Sequence, residues 1–148
     1  MLPAVPRETF THTSFASAPI DEVWAALDRV ETWEAIGGVD RVLDPVIEDG
    51  QLKGFSFETI TLGTTYLGQA RPDRREEGRL MSWSIDNSEI EGKMAVALAA
   101  TDERTRVTVT VDIESRGLVS SVLFPVIAGA LGRGLPRAVD EFARSWAG

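Results

Sequence analysis

The sequence predicts an α+β fold: one strand, two short helices, six further strands and a long C-terminal helix. Three observations lead there. The chain has 148 residues, close to the commonest size for one compact domain, and reads as a single domain over 1–148. Apolar residues recur with period two from Val39 to Ser115, the mark of half-buried strands. Over the last thirty residues the period changes to 3.6, the mark of an amphipathic helix.

The first strand spans Arg7 to Phe15, where Thr9, Thr11 and Thr13 alternate with Phe10, His12 and Ser14. Ala18-Pro19 ends it, and Asp21 is the expected cap of a helix whose apolar face carries Val23, Trp24 and Leu27. A second short helix is expected from Glu31 to Ile36, stopped by Gly37-Gly38. Strands follow at Val39–Ile47 and Leu52–Thr61, joined by an Asp49-Gly50 hairpin signal. The next are expected at Thr64–Arg71, Leu80–Ser88, Met94–Ala100 and Thr105–Ser115, with Pro72–Arg79 as a polar loop. Short turns between successive strands make an antiparallel meander. The closing helix carries the stripe Val119, Val122, Leu123, Val126, Ile127, Ala130, Leu131, Leu135, Val139, Phe142 and Trp146. Gly129, Gly132, Gly134 and Pro136 are expected to weaken or kink it, either as a gate or to accommodate packing. A long sheet must bury one face, and this helix is the large element available to cover it.

Composition removes several classes of function. With no cysteine, the chain has no disulfide framework, thiolate nucleophile or thiolate metal site. His12 is the single histidine, which leaves little for a metal centre, and no metal or cofactor is expected. The net charge of −8 argues against nucleic acid. The charge is uneven: residues 1–115 hold 11 basic and 21 acidic residues, while 116–148 hold four basic and two acidic. Leu118 to Leu131 is the most apolar stretch, too short and too interrupted to span a bilayer. Met1 to Pro6 lacks a basic flank and an apolar core, so a cytoplasmic protein is expected.

The run Ala18-Pro-Ile-Asp-Glu-Val-Trp-Ala-Ala-Leu27, then Trp33, six strands and a closing helix, resembles the SRPBCC superfamily. These are the START-like, helix-grip proteins, among them polyketide cyclases and the birch-pollen allergens. Tyr66-Leu-Gly68, Glu89-Ile-Glu-Gly92, Thr105-Arg-Val107 and Gly117 look most like two of its branches. One holds the G-type subunit of carbon monoxide dehydrogenase, and the other is labelled cyclase/dehydrase. The resemblance implies a curved seven-stranded antiparallel sheet wrapped around the long helix, with a cavity between them. It implies cargo such as lipids, quinones, hormones or polyketides, and catalysis in a minority of members. Fold alone does not choose among these.

The residues available for chemistry are few. His12 reads either as a half-exposed strand histidine or as a general acid–base group on the cavity face. Glu58 and the Asp86, Glu89, Glu91 cluster read as solvated strand-end carboxylates, and no Gly-x-Ser-x-Gly elbow is present. Tyr66, the one tyrosine, can offer a hydroxyl to a ligand's polar end. Phe55 and Phe57 alternate on one strand and Met81 and Trp83 on another; with Tyr66, Val122, Val126, Ile127 and Leu131 they form the expected ligand wall. Small residues at Gly68, Ala70, Ala95, Ala97 and Ala99 are expected to leave part of that space open.

The expected function is therefore binding or carriage of a hydrophobic small molecule, with binding favoured over catalysis. The alternatives are a polyketide cyclase or aromatase using His12, Tyr66 or Glu58, and an accessory factor delivering its ligand to an enzyme complex. In the accessory role, Leu118, Phe124, Arg133 and Arg137 would form the patch for a protein partner.

Overall fold

The computed structural model describes residues 6–37, 39–116 and 118–146, with backbone alone for 118–123. The order is β1 (Arg7–Ala16), α1 (Ile20–Ala26), α2 (Val30–Ile36), β2 (Arg41–Glu48), β3 (Gln51–Thr61), β4 (Thr64–Glu76), β5 (Leu80–Asp86), β6 (Ile90–Thr101), β7 (Arg104–Ser115) and α3 (Leu118–Arg144). All seven strands form one antiparallel sheet in the order β1-β7-β6-β5-β4-β3-β2. The meander from β2 to β7 is thus closed off by β1, which pairs with β7 from Arg7↔Glu114 to Ala16↔Thr105. The inward side chains of β7 (Val107, Val109, Val111 and Ile113) are buried on the side covered by α3 and α1. The α+β, helix-grip expectation describes this architecture.

Four local expectations need correction. Pro19, in extended conformation, occupies the position before α1, and Asp21 lies in the helix's first turn. Pro72–Arg79 is mostly strand: β4 runs on to Glu76 through a bulge between Pro72 and Arg74. There the Ser82 hydroxyl accepts the Arg74 N–H (3.1 Å) and donates to Asp73 (2.9 Å), replacing the ladder bonds a bulge loses. The polar sequence hid the strand because its end is held by charge. Arg75 makes a two-pronged ion pair with Asp28 (2.9 and 3.0 Å) and stacks on Trp24 at 5.2 Å. β5 ends at Asp86, because the Asn87 side-chain oxygen accepts the N–H groups of Glu89 and Ile90 in a tight turn, and β6 starts at Ile90, not Met94.

The small residues divide by strand pleat. Gly68 and Ala70 face inward, whereas Ala95, Ala97 and Ala99 lie on the outer face because Met94, Val96 and Leu98 occupy the inner one. A side chain at Gly68 would stand 2.3 Å from the Phe57 ring. That position is glycine so that Phe57 can lie flat across β4.

The long helix is continuous from Leu118 to Arg144 with Pro125 and Pro136 inside it. Its inner face differs in detail from the expected stripe. Phe124, Ala128, Leu135, Val139, Phe142 and Ala143 are buried, whereas Val126 faces outward and Ala130 is exposed at the edge of the inner face. Gly132 is explained by packing: a Cβ there would meet the Phe10 ring of β1 at 2.8 Å. Phe124, expected in a partner patch, is only 3% exposed and cannot form one. Leu118, Val119, Val122 and Leu123 lie outside the described side chains.

Candidate functional site

Between α3 and the concave face of the sheet lies a cavity of about 280 Å³. Its floor is aromatic. Phe55 and Phe57 project inward from β3, Trp83 from β5 and Trp33 from α2. Trp83 packs edge-to-face against Trp33 (centroids 5.7 Å apart) and Phe55 (5.3 Å), and Phe55 against Phe57 (6.5 Å). Ile90, Met94 and Val111 continue the wall along β6 and β7, and Ile127, Leu131 and Leu135 supply the roof from α3. These rings interlock edge to face as one aromatic cluster.

The mouth is marked by the lining residues that are also exposed: Asp40, Ile60, Ala130 and Gly134. It opens between the end of α2, the β3–β4 hairpin and the middle of α3. Leu62 at the hairpin tip is 74% exposed and holds φ +51°, an unfavourable backbone for leucine. From Thr59 to Ala70 the sequence carries no charged residue. In a chain with charges elsewhere on every strand, that neutral run was the signal that could have located the mouth.

Polar groups on the wall are sparse. Tyr66 is half-buried beside Thr59, its cross-strand neighbour. The Asn87 side-chain oxygen is engaged by backbone N–H groups at 2.7 and 2.9 Å. Among the described residues Asp40 is the one charged residue on the wall, and it accepts the Ile60 N–H at 2.6 Å. No lysine, arginine or histidine lines the cavity among the described residues.

Of the expected ligand wall, Phe55, Phe57, Tyr66, Trp83, Ile127 and Leu131 come together around this space. Met81 is buried elsewhere in the core, two residues along β5 from Trp83 and off the cavity wall. Val126 is 41% exposed on the outer side of α3. Val122 lies outside the described side chains. Trp33, Ile90 and Met94 complete the wall and were not singled out from sequence, because nothing in their spacing separates a lining residue from a core residue.

The expected acid–base candidates are dispersed. His12 is on the inner face of β1, away from the cavity, with its Nε2 at 2.8 Å from an Asp140 carboxylate oxygen. The hydrogen bond from His12, with a further one from Ser14, holds the Asp140 carboxyl below the usual range. Glu58 is off the cavity wall and pairs with Arg41 at 3.5 Å. Asp86 pairs with Arg116 at 3.7 Å. Among the described residues, no group of carboxylates and histidine is arranged to hold a metal ion. Among the described residues, no helix is long and apolar enough to cross a membrane.

A seven-stranded open sheet gripping one long helix, with two short helices after the first strand and an apolar cavity beneath the grip, defines the START-like fold class. Solved structures bear this out. The chain is similar to the Zhui aromatase/cyclase from Streptomyces sp. R1128, with TM-score 0.69 and 16% identity over 94% of this chain and 95% of that one. It is similar to a START superfamily protein from Mycobacterium smegmatis, with TM-score 0.61 and 11% identity over 88% and 96%. A third is the major latex-like protein 151 from Panax ginseng, with TM-score 0.55 and 10% identity over 88% and 96%. No protein-family model and no curated protein sequence matches the chain.

Proposed function

We infer that this protein binds and carries a compact hydrophobic molecule in the cavity between α3 and the sheet. The observation that carries this reading is the interlocked aromatic floor beneath a mouth that, among the described residues, holds one carboxylate and no cation. At about 280 Å³ the space stands near the lower end of the usual range for ligand sites. A small ring system such as a quinone or polyketide-like aromatic fits that size better than a two-chain lipid. Carriage is favoured over catalysis because His12 is hydrogen-bonded to Asp140 and Glu58 is paired with Arg41, both away from the wall. Tyr66 remains as a positioning hydroxyl. Delivery of the cargo to a protein partner is compatible with this role; nucleic acid is a poor partner for a chain of net charge −8.

Titration with N-phenylnaphthylamine, a neutral dye that brightens in apolar surroundings, tests the reading. Saturable enhancement is expected for the wild type. Leu131→Trp, which fills the space from a half-buried roof position, should weaken binding at least tenfold with little change in the unfolding midpoint. Undiminished binding by that variant would place the dye elsewhere. The aromatase/cyclase likeness motivates one control: incubation with a linear poly-β-ketone thioester, where ring closure would convert the carrier reading into an enzymatic one.

A further inference from the structure

We propose that the indole N–H of Trp83 is the specificity group of the cavity, and that it selects an uncharged ring-shaped ligand carrying a carbonyl or similar acceptor oxygen. The inference rests on the ligand-binding reading above and sharpens it. Trp83 is 2% exposed and stands on the cavity wall. Among the described residues its Nε1 is the buried side-chain polar atom that has no hydrogen-bond partner. The other tryptophans of the short helices are satisfied: Trp33 donates to the Leu27 carbonyl at 2.7 Å and Trp24 to Glu77 at 3.0 Å. The two rings edge-on to Trp83, Trp33 and Phe55, offer it faces and edges but no oxygen.

An unpartnered donor in an apolar interior is costly, and a phenylalanine would fill much of the same volume without that cost. The indole is a donor only, so the complementary ligand atom is an acceptor. Charge is excluded by the rest of the wall. Without a cation in the lining, a buried carboxylate or phosphate would go uncompensated, and Asp40 at the mouth would repel it. A neutral carbonyl or ether oxygen meets both conditions, with the ligand's remaining surface against Phe55, Phe57, Met94 and Leu131.

Three probes of one shape separate these terms: fluorene, fluorenone with its ketone oxygen, and fluorene carboxylate with a charge. Affinities are measured by calorimetry for the wild type and Trp83→Phe. Fluorenone should lose about tenfold on substitution while fluorene changes less than twofold, as expected for loss of one hydrogen bond. Fluorene carboxylate should bind the wild type at least tenfold more weakly than fluorenone. If Trp83→Phe fails to fold, the nitrogen–proton correlation spectrum of the wild type replaces it. One of the four indole signals should move to lower field with fluorenone and stay in place with fluorene. Equal losses for both uncharged probes, or no indole shift in a saturated fluorenone complex, would overturn the role of Trp83. Carboxylate binding as tight as fluorenone would overturn the selection for neutral ligands. If none of the probes binds, the ligand-binding reading itself falls, and this inference with it.

Discussion

Asp28 shows how much one side chain can hold in place. It receives the Arg75 guanidinium through two bonds and the Leu52 N–H at 3.1 Å, joining the end of α1 to β3 and β4. Burial works against its ionisation. The bonds from Arg75 and Leu52, with the charges of Arg75 and Lys53, together outweigh burial and hold the carboxyl below the usual range. A depressed folded-state value means the stabilisation is complete above the unfolded value of about 4 and is lost as pH falls through the folded one. Asp28→Asn should therefore cost about 2 kcal/mol at pH 7, and the gap from wild type should close in strongly acidic buffer. Urea titrations at the two pH values check this. Little of it was legible beforehand, because Asp28, Leu52 and Arg75 are distant in sequence and period-two reading assigns faces, not partners. The same limit separates Trp83 from Met81: alternation put both on the inner face, but not at the same distance along β5 from the cavity.

Among the elements, α3 is the one whose sequence most underdetermines its behaviour. Gly132 and Gly134 look equivalent in the chain, yet Phe10 presses on the first while nothing lies within 4 Å of a Cβ at the second. Gly134→Ala should stabilise the protein by about 0.5–1 kcal/mol through helix propensity alone. Gly132→Ala should gain nothing or lose about 1 kcal/mol, because Phe10 must give way. Thermal unfolding of the two single variants distinguishes them. Pro136 has no N–H to offer the Gly132 carbonyl, so the weakest turn of α3 is also where it crosses β1 and borders the cavity mouth. Strand elements were easier to read. The Asp49-Gly50 turn and the Thr105–Ser115 strand stand where the pattern put them, since each depends on residues within one hairpin. The Pro72–Glu76 extension failed that reading because charge pairs, not apolar alternation, hold it.

At the scale of the whole molecule, the architecture was legible because two strong periodicities leave few ways to bury a long sheet. The cavity was legible in part: the expected Phe55, Phe57, Tyr66, Trp83, Ile127 and Leu131 line it, but Met81 does not, since the same apolar side chains serve a solid core and only their placement around open space decides. The topology sets the speed of assembly as well. The six-strand meander is local, but β1 reaches its partner across most of the chain: His12 lies opposite Val109, and Thr9 opposite Asp112. Pairings of that separation slow folding, so refolding from denaturant should take milliseconds to seconds, as stopped-flow tryptophan fluorescence would record. For a ribosome the order is more awkward still. The first strand to leave the tunnel has no edge to join until β7 has followed it about a hundred residues later. Throughout that interval the β7 edge it will occupy does not exist, and α3, which shields both, follows all seven strands. The sheet therefore stays uncovered until the long helix has emerged, and that helix roofs the cavity in the same step that buries the inner face of β7.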